Sequence, residues 1–395
     1  MPPIYTKSQT TTYDAEGSLD RDISEIITNI TPDKTPMLNQ LPNGKEATEL
    51  KFEWQLDQLR PPTKNQRPEL DTYTYKHVAG VGRDSNCIQF FREDGMVSDA
   101  MQKVDKLYSQ QDELARQKVN KMKEMARDME YALVVNKNAN LENGATLAMT
   151  GGIPYFLQER DIVVTFDNTT DKVTAAEPHS LTTGEFVVFR PASSSDTLPA
   201  GIKANVRYYI RQDASAPTTV FTLYKSLEDA VEDVKQVAFA DDGVGTLHMM
   251  LNNVVDAEDR AYTENDLNDA MELAYHRGGN PTLAVMSPAN KRRFTQILSG
   301  IHTTNRNQTD VKVENVISTY ETDFGTLQAM AHREYGDDHI HLLDMNYWAL
   351  RYFVRPHEVS GLPKLGSYVQ FVLEGSFGLQ GTQPLASACI KNIAR

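Results

Sequence analysis

Between Gly95 and Gly144 the sequence holds no glycine and no proline. So long a stretch without a helix breaker leaves the backbone few options. Val97, Met101, Val104, Tyr108, Ala115, Met122, Met125, Met129 and Ala132 recur along it as a near-heptad apolar stripe. Gln111 and Lys118 interrupt the stripe, and charges of both signs fill the other faces. The pattern predicts one helix from about Ser98 to Val135, roughly forty residues and about 60 Å long. A methionine stripe at this spacing is core before it is a binding groove, so Met122, Met125 and Met129 are expected to face the body of the fold. The two polar breaks weigh against a coiled-coil seam.

The segments before this helix have little core of their own. The chain begins polar and punctuated, with Thr10-Thr11-Thr12, Gly17 and prolines at 32, 36 and 42. Inside it Ile23, Ile26, Ile27 and Ile30 share one helical face, and Thr31-Pro32 ends that short helix. Glu49 to Leu56 alternates polar and apolar residues around Phe52 and Trp54, a strand signature. A proline-rich stretch from Arg60 to Leu70 follows, and Tyr73 to Phe91 is again rich in Tyr, Val, Ile and Phe. Together they predict a projecting hairpin of two long strands.

After Gly151-Gly152-Ile153-Pro154 the composition changes. Short alternating runs appear at 162–166, 186–189, 206–210, 220–223, 234–239 and 246–250, separated by turn-rich pieces such as Asp242-Gly243. Close-spaced short strands predict a small all-β module inserted into an α+β chain. Helical signals return at Thr263, an N-cap residue, and at Ser287-Pro288, with Ser at N-cap and Pro at N1. Strands are predicted at 282–286, 311–318, 326–331, 339–343, 348–354, 368–374 and 388–393.

Composition narrows the function classes. Forty Lys and Arg stand against 54 Asp and Glu over 395 residues, a formal charge of -14, opposite in sign to a protein that grips phosphate backbones. Mean hydropathy is -0.49, and no apolar run approaches the ~18 residues of a membrane span. The first residues lack a signal-peptide layout. Cys87 and Cys389 are the only cysteines; they leave room for one bridge, but a reducing compartment is the simpler reading.

No catalytic constellation emerges. Asp323-Phe324-Gly325 matches a kinase metal-binding triplet, but no catalytic loop or glycine-rich phosphate loop accompanies it, and between two strands it reads as turn chemistry. His339-Ile340-His341, with His332, Asp337 and Asp338 nearby, lacks a third metal ligand at convincing spacing and reads as partly solvated strand residues. Asp256-Ala257-Glu258-Asp259 reads as solvated linker rather than a calcium loop. Lys291-Arg292-Arg293 reads as an exposed helical face, with a contact to another subunit as the sharper reading. No catalytic residue, cofactor or metal is expected.

The order of elements is itself informative. Asp22 to Pro32 with Thr35-Pro36-Met37-Leu38, Phe52-Glu53-Trp54-Gln55 with Asp57-Gln58-Leu59, Arg127 to Leu133, Gly278-Gly279-Asn280-Pro281 with Pro288 to Arg292, Asp323 to Leu327, and Leu343 to Ala349 occur in sequence. This ordered set, covering about three quarters of the chain, resembles the major capsid proteins of tailed double-stranded DNA phages. The inserted module resembles a β domain that recurs in phage structural proteins, through His179 to Phe189, Leu198 to Gly201 and Tyr208 to Ile210.

The resemblance implies an α+β fold of the Hong Kong 97 type. In that fold residues 1–48 form an N-terminal arm and 49–93 an extended loop. Residues 94–159 with 308–333 and 380–395 form a peripheral domain that includes the spine helix. Residues 160–253 are the inserted β domain, and 254–307 with 334–379 an axial domain. It implies a structural protein that assembles as homo-hexamers and homo-pentamers into an icosahedral head. The expected partners are a portal protein at one vertex, a scaffolding protein in trans, since only about twenty residues precede the arm helix, and a decoration protein. The head encloses double-stranded DNA without sequence-specific binding, and no membrane is involved. The protein is then made in the host bacterial cytoplasm and resides in the virion. Subunit contacts are expected at Ile23, Ile26, Ile27, Phe52, Trp54, Arg60, Lys64, Arg67 and Arg292. A host-binding or tail-associated phage protein, an enzyme and a cellular nanocompartment shell are the competing readings.

Overall fold

Thr35, the residue before the first helix, opens the described part of a computed structural model, which covers residues 35–57, 59–73, 75, 81–103, 113–158, 161–179, 181–193, 195–301, 319–364 and 366–394. The arm helix at Ile23–Ile30 and the strand expected at 311–318 lie outside the described residues. Helix α1 (Pro36–Gln40) leads to strands β1 (Lys51–Leu56), β2 (Gly82–Cys87) and β3 (Gln89–Ser98). Helices α2 (Asp99–Lys103), α3 (Glu113–Val135) and α4 (Ile153–Leu157) follow. Next come β4 (Asp161–Asp167), β5 (Lys172–Ala175), β6 (Phe186–Pro191), β7 (Arg207–Gln212), β8 (Val220–Tyr224), α5 (Leu227–Glu232) and β9 (Leu247–Met250). The remainder is β10 (Val254–Arg260), α6 (Glu264–His276), β11 (Leu283–Met286), α7 (Pro288–Ile301), β12 (Thr319–Thr322), β13 (Gly325–Ala331), β14 (Ile340–Leu343), β15 (Trp348–Glu358), β16 (Tyr368–Gly381) and β17 (Ala388–Ile393).

The chain forms two compact units. The larger takes 35–91, 128–356 and 375–395 and is built on a six-stranded mixed sheet in the order β10-β17-β14-β11-β13-β12. β11 and β14 are buried along their whole length, β11 as an unbroken apolar run and β14 with His341 among its apolar residues. Helix α6 starts with a reciprocal capping box between Thr263 and Asp266, and Arg260 grips the same carboxylate at 2.6 and 2.7 Å. Ser287 Oγ accepts from Asn290 N–H at the start of α7 (3.3 Å). Asp323 and Phe324 are the two loop residues of the β12–β13 hairpin, as turn chemistry predicts. β10 corrects the reading of Asp256 to Asp259 as linker. Asp256 is a buried strand residue paired with Arg190 at 2.9 Å, and only at Glu258 and Asp259 does the backbone turn left-handed and the register break.

Within this unit β4-β5-β8-β7-β6-β9 close into an antiparallel barrel. Val173, Ile210, Phe221, Leu223 and Met249 fill it, with Phe166 set edge-on to Phe189 and Phe239 at 5.2 Å. The expected strand at 234–239 is a loop: Asp233 and Lys235 take left-handed backbone, although Val237 and Phe239 still point into the core. The barrel's two ends meet, with Asp161 opposite Met250 and Asn252 Nδ2 donating to Gln158 O at 2.8 Å.

The second unit takes, among the described residues, 92–103, 113–127, 357–364 and 366–374. Asp99 N–H donates to Ser367 O (3.0 Å), Lys364 pairs with Asp99 (2.6 Å), and Lys118 with Glu358 (2.7 Å). Gly95 lies under the Phe371 ring, where a Cβ would come within 2.5 Å. The expected forty-residue helix is described only as α2 and α3, with 104–112 outside the described residues. Met125 and Met129 are buried as expected, but Met122 is 37% exposed, and Met101 and Ala115 are exposed as well. The described residues of α3 before Met125 include none that is buried.

Candidate functional site

The extended loop grows from a short, firmly held root. β1 pairs antiparallel with β2 from Lys51↔Cys87 to Leu56↔Gly82. The second strand therefore starts at Gly82 rather than Tyr73. The prolines at 61, 62 and 68 have no N–H to give a ladder, and the described residues between Leu56 and Gly82 form no strand. The alternation in β1 turns Phe52 and Trp54 inward. Trp54 meets Phe156 at 6.0 Å, Phe156 meets Trp348 at 5.6 Å, and the Arg351 guanidinium lies over Phe52. Phe52 and Trp54 are thus spent in their own subunit, at odds with the expected contact role. The buried Asn86 ties the root down: its Nδ2 donates to Gly151 O (3.0 Å) and Leu379 O (2.6 Å), and its Oδ1 accepts from Gly151 N–H (2.9 Å).

Beyond the root the loop presents apolar surface. Leu59, Leu70, Tyr73 and Tyr75 are each about nine-tenths exposed, far more than isolated large apolar side chains need be. Arg60 donates to Pro61 O (3.0 Å) and Thr63 Oγ1 (2.9 Å), and Arg67 pairs with Asp71 at 3.5 Å. Lys64 pairs with Glu228 at 2.8 Å and also with Glu232, both on α5. Hydrogen bonds donated to Glu228 and then to Glu232 raise the Lys64 ammonium above its ordinary range, and Lys64 in turn holds the Glu228 carboxyl down.

Ile23, Ile26 and Ile27, expected in the arm, lie outside the described residues, but helix α1, which follows them in the chain, is described. Glu130, buried near the end of α3, accepts from Met37 N–H and Leu38 N–H (2.8 Å each) and bonds His332 Nε2 at 2.8 Å. Sequence reasoning missed this role, although Thr35 to Leu38 and Arg127 to Leu133 were two of the segments that carried the family resemblance. Of the basic cluster on α7 only Arg292 is exposed. Lys291 lies over the Phe294 ring (4.8 Å), and Arg293 Nε donates to Tyr262 O (2.8 Å). The cluster is therefore not the uniformly solvated face expected from sequence.

His341 and His332 are buried rather than partly solvated. His341 shares a hydrogen bond with the Tyr335 hydroxyl, and burial pushes its imidazole down to about 3. No group of three His, Cys, Asp or Glu converges as a metal site among the described residues. Cys87 and Cys389 are both buried and free, and burial pushes the Cys389 thiol up to about 12. Among the described residues no helix is long and apolar enough to cross a membrane. The arrangement offers surfaces for contact.

The comparisons agree with that geometry. No curated protein matches the chain. Among solved structures the chain is similar to the capsid asymmetric unit of cyanophage A-1(L), at 10% identity and a TM-score of 0.55, over 98% of this chain and 100% of that one. It is similar also to the capsid of a native GTA particle, at 11% identity and 0.53, over 98% and 100%. These likenesses establish the fold, the Hong Kong 97-type shell fold in a mixed helix-and-sheet chain. The family model described as SU10 major capsid protein matches residues 5–394. A shell fold, a loop with unburied apolar residues and a family match over nearly the whole length converge: the chain belongs to the SU10 major capsid protein family, structural and non-enzymatic shell proteins of tailed phages.

Proposed function

We propose that the chain assembles as hexamers and pentamers into an icosahedral head around double-stranded DNA, with its extended loop and arm as the principal subunit contacts. One observation carries this reading: Leu59, Leu70, Tyr73 and Tyr75 stand exposed on a single loop. At ~25 cal/mol per Å² of apolar surface, covering them on a neighbour supplies a driving force that the free subunit leaves unused. Arg60, Arg67 and Arg292 are the polar contacts kept for a neighbour, together with Ile23, Ile26 and Ile27 of the arm. The net charge of -14 keeps the inner wall from adhering to packaged DNA. Synthesis in the host bacterial cytoplasm, a portal protein at one vertex, a scaffolding protein in trans and a decoration protein complete the reading. So does the division into arm, loop, peripheral, axial and inserted β domains.

Electron microscopy of the protein co-produced with the head proteins of its parent phage tests this. Closed icosahedral shells are expected. Discrete small oligomers would instead favour a host-binding or tail-associated role.

A further inference from the structure

The tip of the extended loop is occupied in an unexpected way. It lies against the inserted barrel of its own chain. Lys64 sits between Glu228 and Glu232, which occupy successive turns of α5 and so share one face. Beside that pair the Pro61 ring covers Gly184, where a Cβ would come within 2.9 Å of both Pro61 and Leu227. Gly184 also has a φ of +95°, so a bare backbone is required there twice over. An ionic contact and a steric one thus meet at one spot, made by two segments far apart in sequence.

We propose that α5 and Gly184 of the inserted barrel form the docking surface for the loop tip of the same chain, so that the barrel holds the loop while the subunit is free. Exposed ion pairs are weak and screened by salt. A contact of that kind fixes a loop without trapping it, so a neighbouring subunit that covers Leu70, Tyr73 and Tyr75 can take the loop away. That release rests on the proposed shell assembly; the docking itself does not.

Two measurements on the full-length subunit, kept dilute and unassembled, test the docking. In the first, Lys64→Cys is combined with Glu232→Cys and oxidised. The native Cys87 and Cys389 are buried and do not interfere. A monomeric species of shifted mobility, formed at the same rate on dilution, is expected; disulfide-linked dimers alone, or no bridge, overturn the proposal. In the second, chymotryptic cutting after the exposed Tyr73 is timed. Lys64→Glu should speed it about fivefold, the equivalent of an exposed ion-pair set. Adding Glu228→Lys and Glu232→Lys should restore the slow rate. If Lys64→Glu leaves the rate unchanged, or the full charge swap fails to restore it, the loop is not held there. Because both readouts precede assembly, failure of the docking is distinct from failure to form shells.

Discussion

Glu130 shows how much one buried carboxylate can settle. It satisfies two N–H groups at the start of α1, which no helical partner can satisfy, and a histidine from the end of β13. Removing it strands all three. Glu130→Ala is expected to cost about 3–5 kcal/mol in urea unfolding of the free subunit, and Glu130→Gln, which still offers one acceptor, distinctly less. Equal costs for the two would show that volume rather than hydrogen bonding matters there. The histidines give a second prediction at this scale. His341 stays neutral in the folded chain down to about pH 3, and burial also lowers His179. An unfolded histidine takes its proton near pH 6.5. Above that pH neither residue changes stability; below it the unfolded state binds the extra proton, so stability falls as pH falls. Each such histidine contributes up to about 1.4 kcal/mol per pH unit. Urea midpoints measured from pH 7 to pH 4 should therefore decline, and His341→Gln should flatten the slope. An unchanged slope in that variant would place the titration elsewhere.

Among the elements, α3 is the sharpest case. Met125 and Met122 belong to one apolar stripe in sequence, but only Met125 is enclosed. Met125→Asp buries an unpaired charge and is expected to cost about 4 kcal/mol and prevent particle formation. Met122→Asp should leave the melting of the free subunit nearly unchanged. Periodicity identified this face without showing where the covering layer stops, because that depends on segments distant in sequence. The same limit runs through the other elements. β1, β11 and β17 were legible because their apolar pattern and their burial coincide. β10 was not, since Asp256 is buried by a salt bridge to Arg190, a partner no local pattern announces. The strand expected at 234–239 failed because alternation survived while two left-handed residues broke the backbone. Helix α5 did carry a signal, Ser226 three residues before Asp229, whose N–H it caps, but six residues are too few for a period to register. Lys64 was expected at a contact with another subunit, and its pairing with Glu228 and Glu232 of its own chain was not read; Phe52 and Trp54 looked available only because alternation does not say which side is core.

For the whole molecule the decisive question is whether the barrel is a passenger or a layer of the shell fold. Its own side chains fill its interior, from Ile162 to Met249, and its ends meet at Asp161 and Met250, so the parent chain can enter and leave at one point. It is also seated: Arg190 pairs with Asp256, Arg207 with Glu272 at 2.5 Å, and Arg277 lies 4.6 Å over the Phe186 ring. These contacts orient the barrel and do not complete its core. The fragment 160–253 is therefore expected to melt cooperatively on its own with strand-dominated circular dichroism, marginally stable as a domain of that size should be. Replacing the stretch by a short Gly-Ser linker should leave a chain that still forms capsomers, though with Asp256, Glu272 and Lys64 stripped of their barrel partners and the loop cut faster by chymotrypsin. An unfolded fragment, together with a deletion that abolishes all assembly, would make the barrel an integral part of the shell. A folded fragment with a deletion that assembles, but from a loop no longer held, would separate the two roles this chain combines, building the wall and keeping its own reach in check until a neighbour arrives.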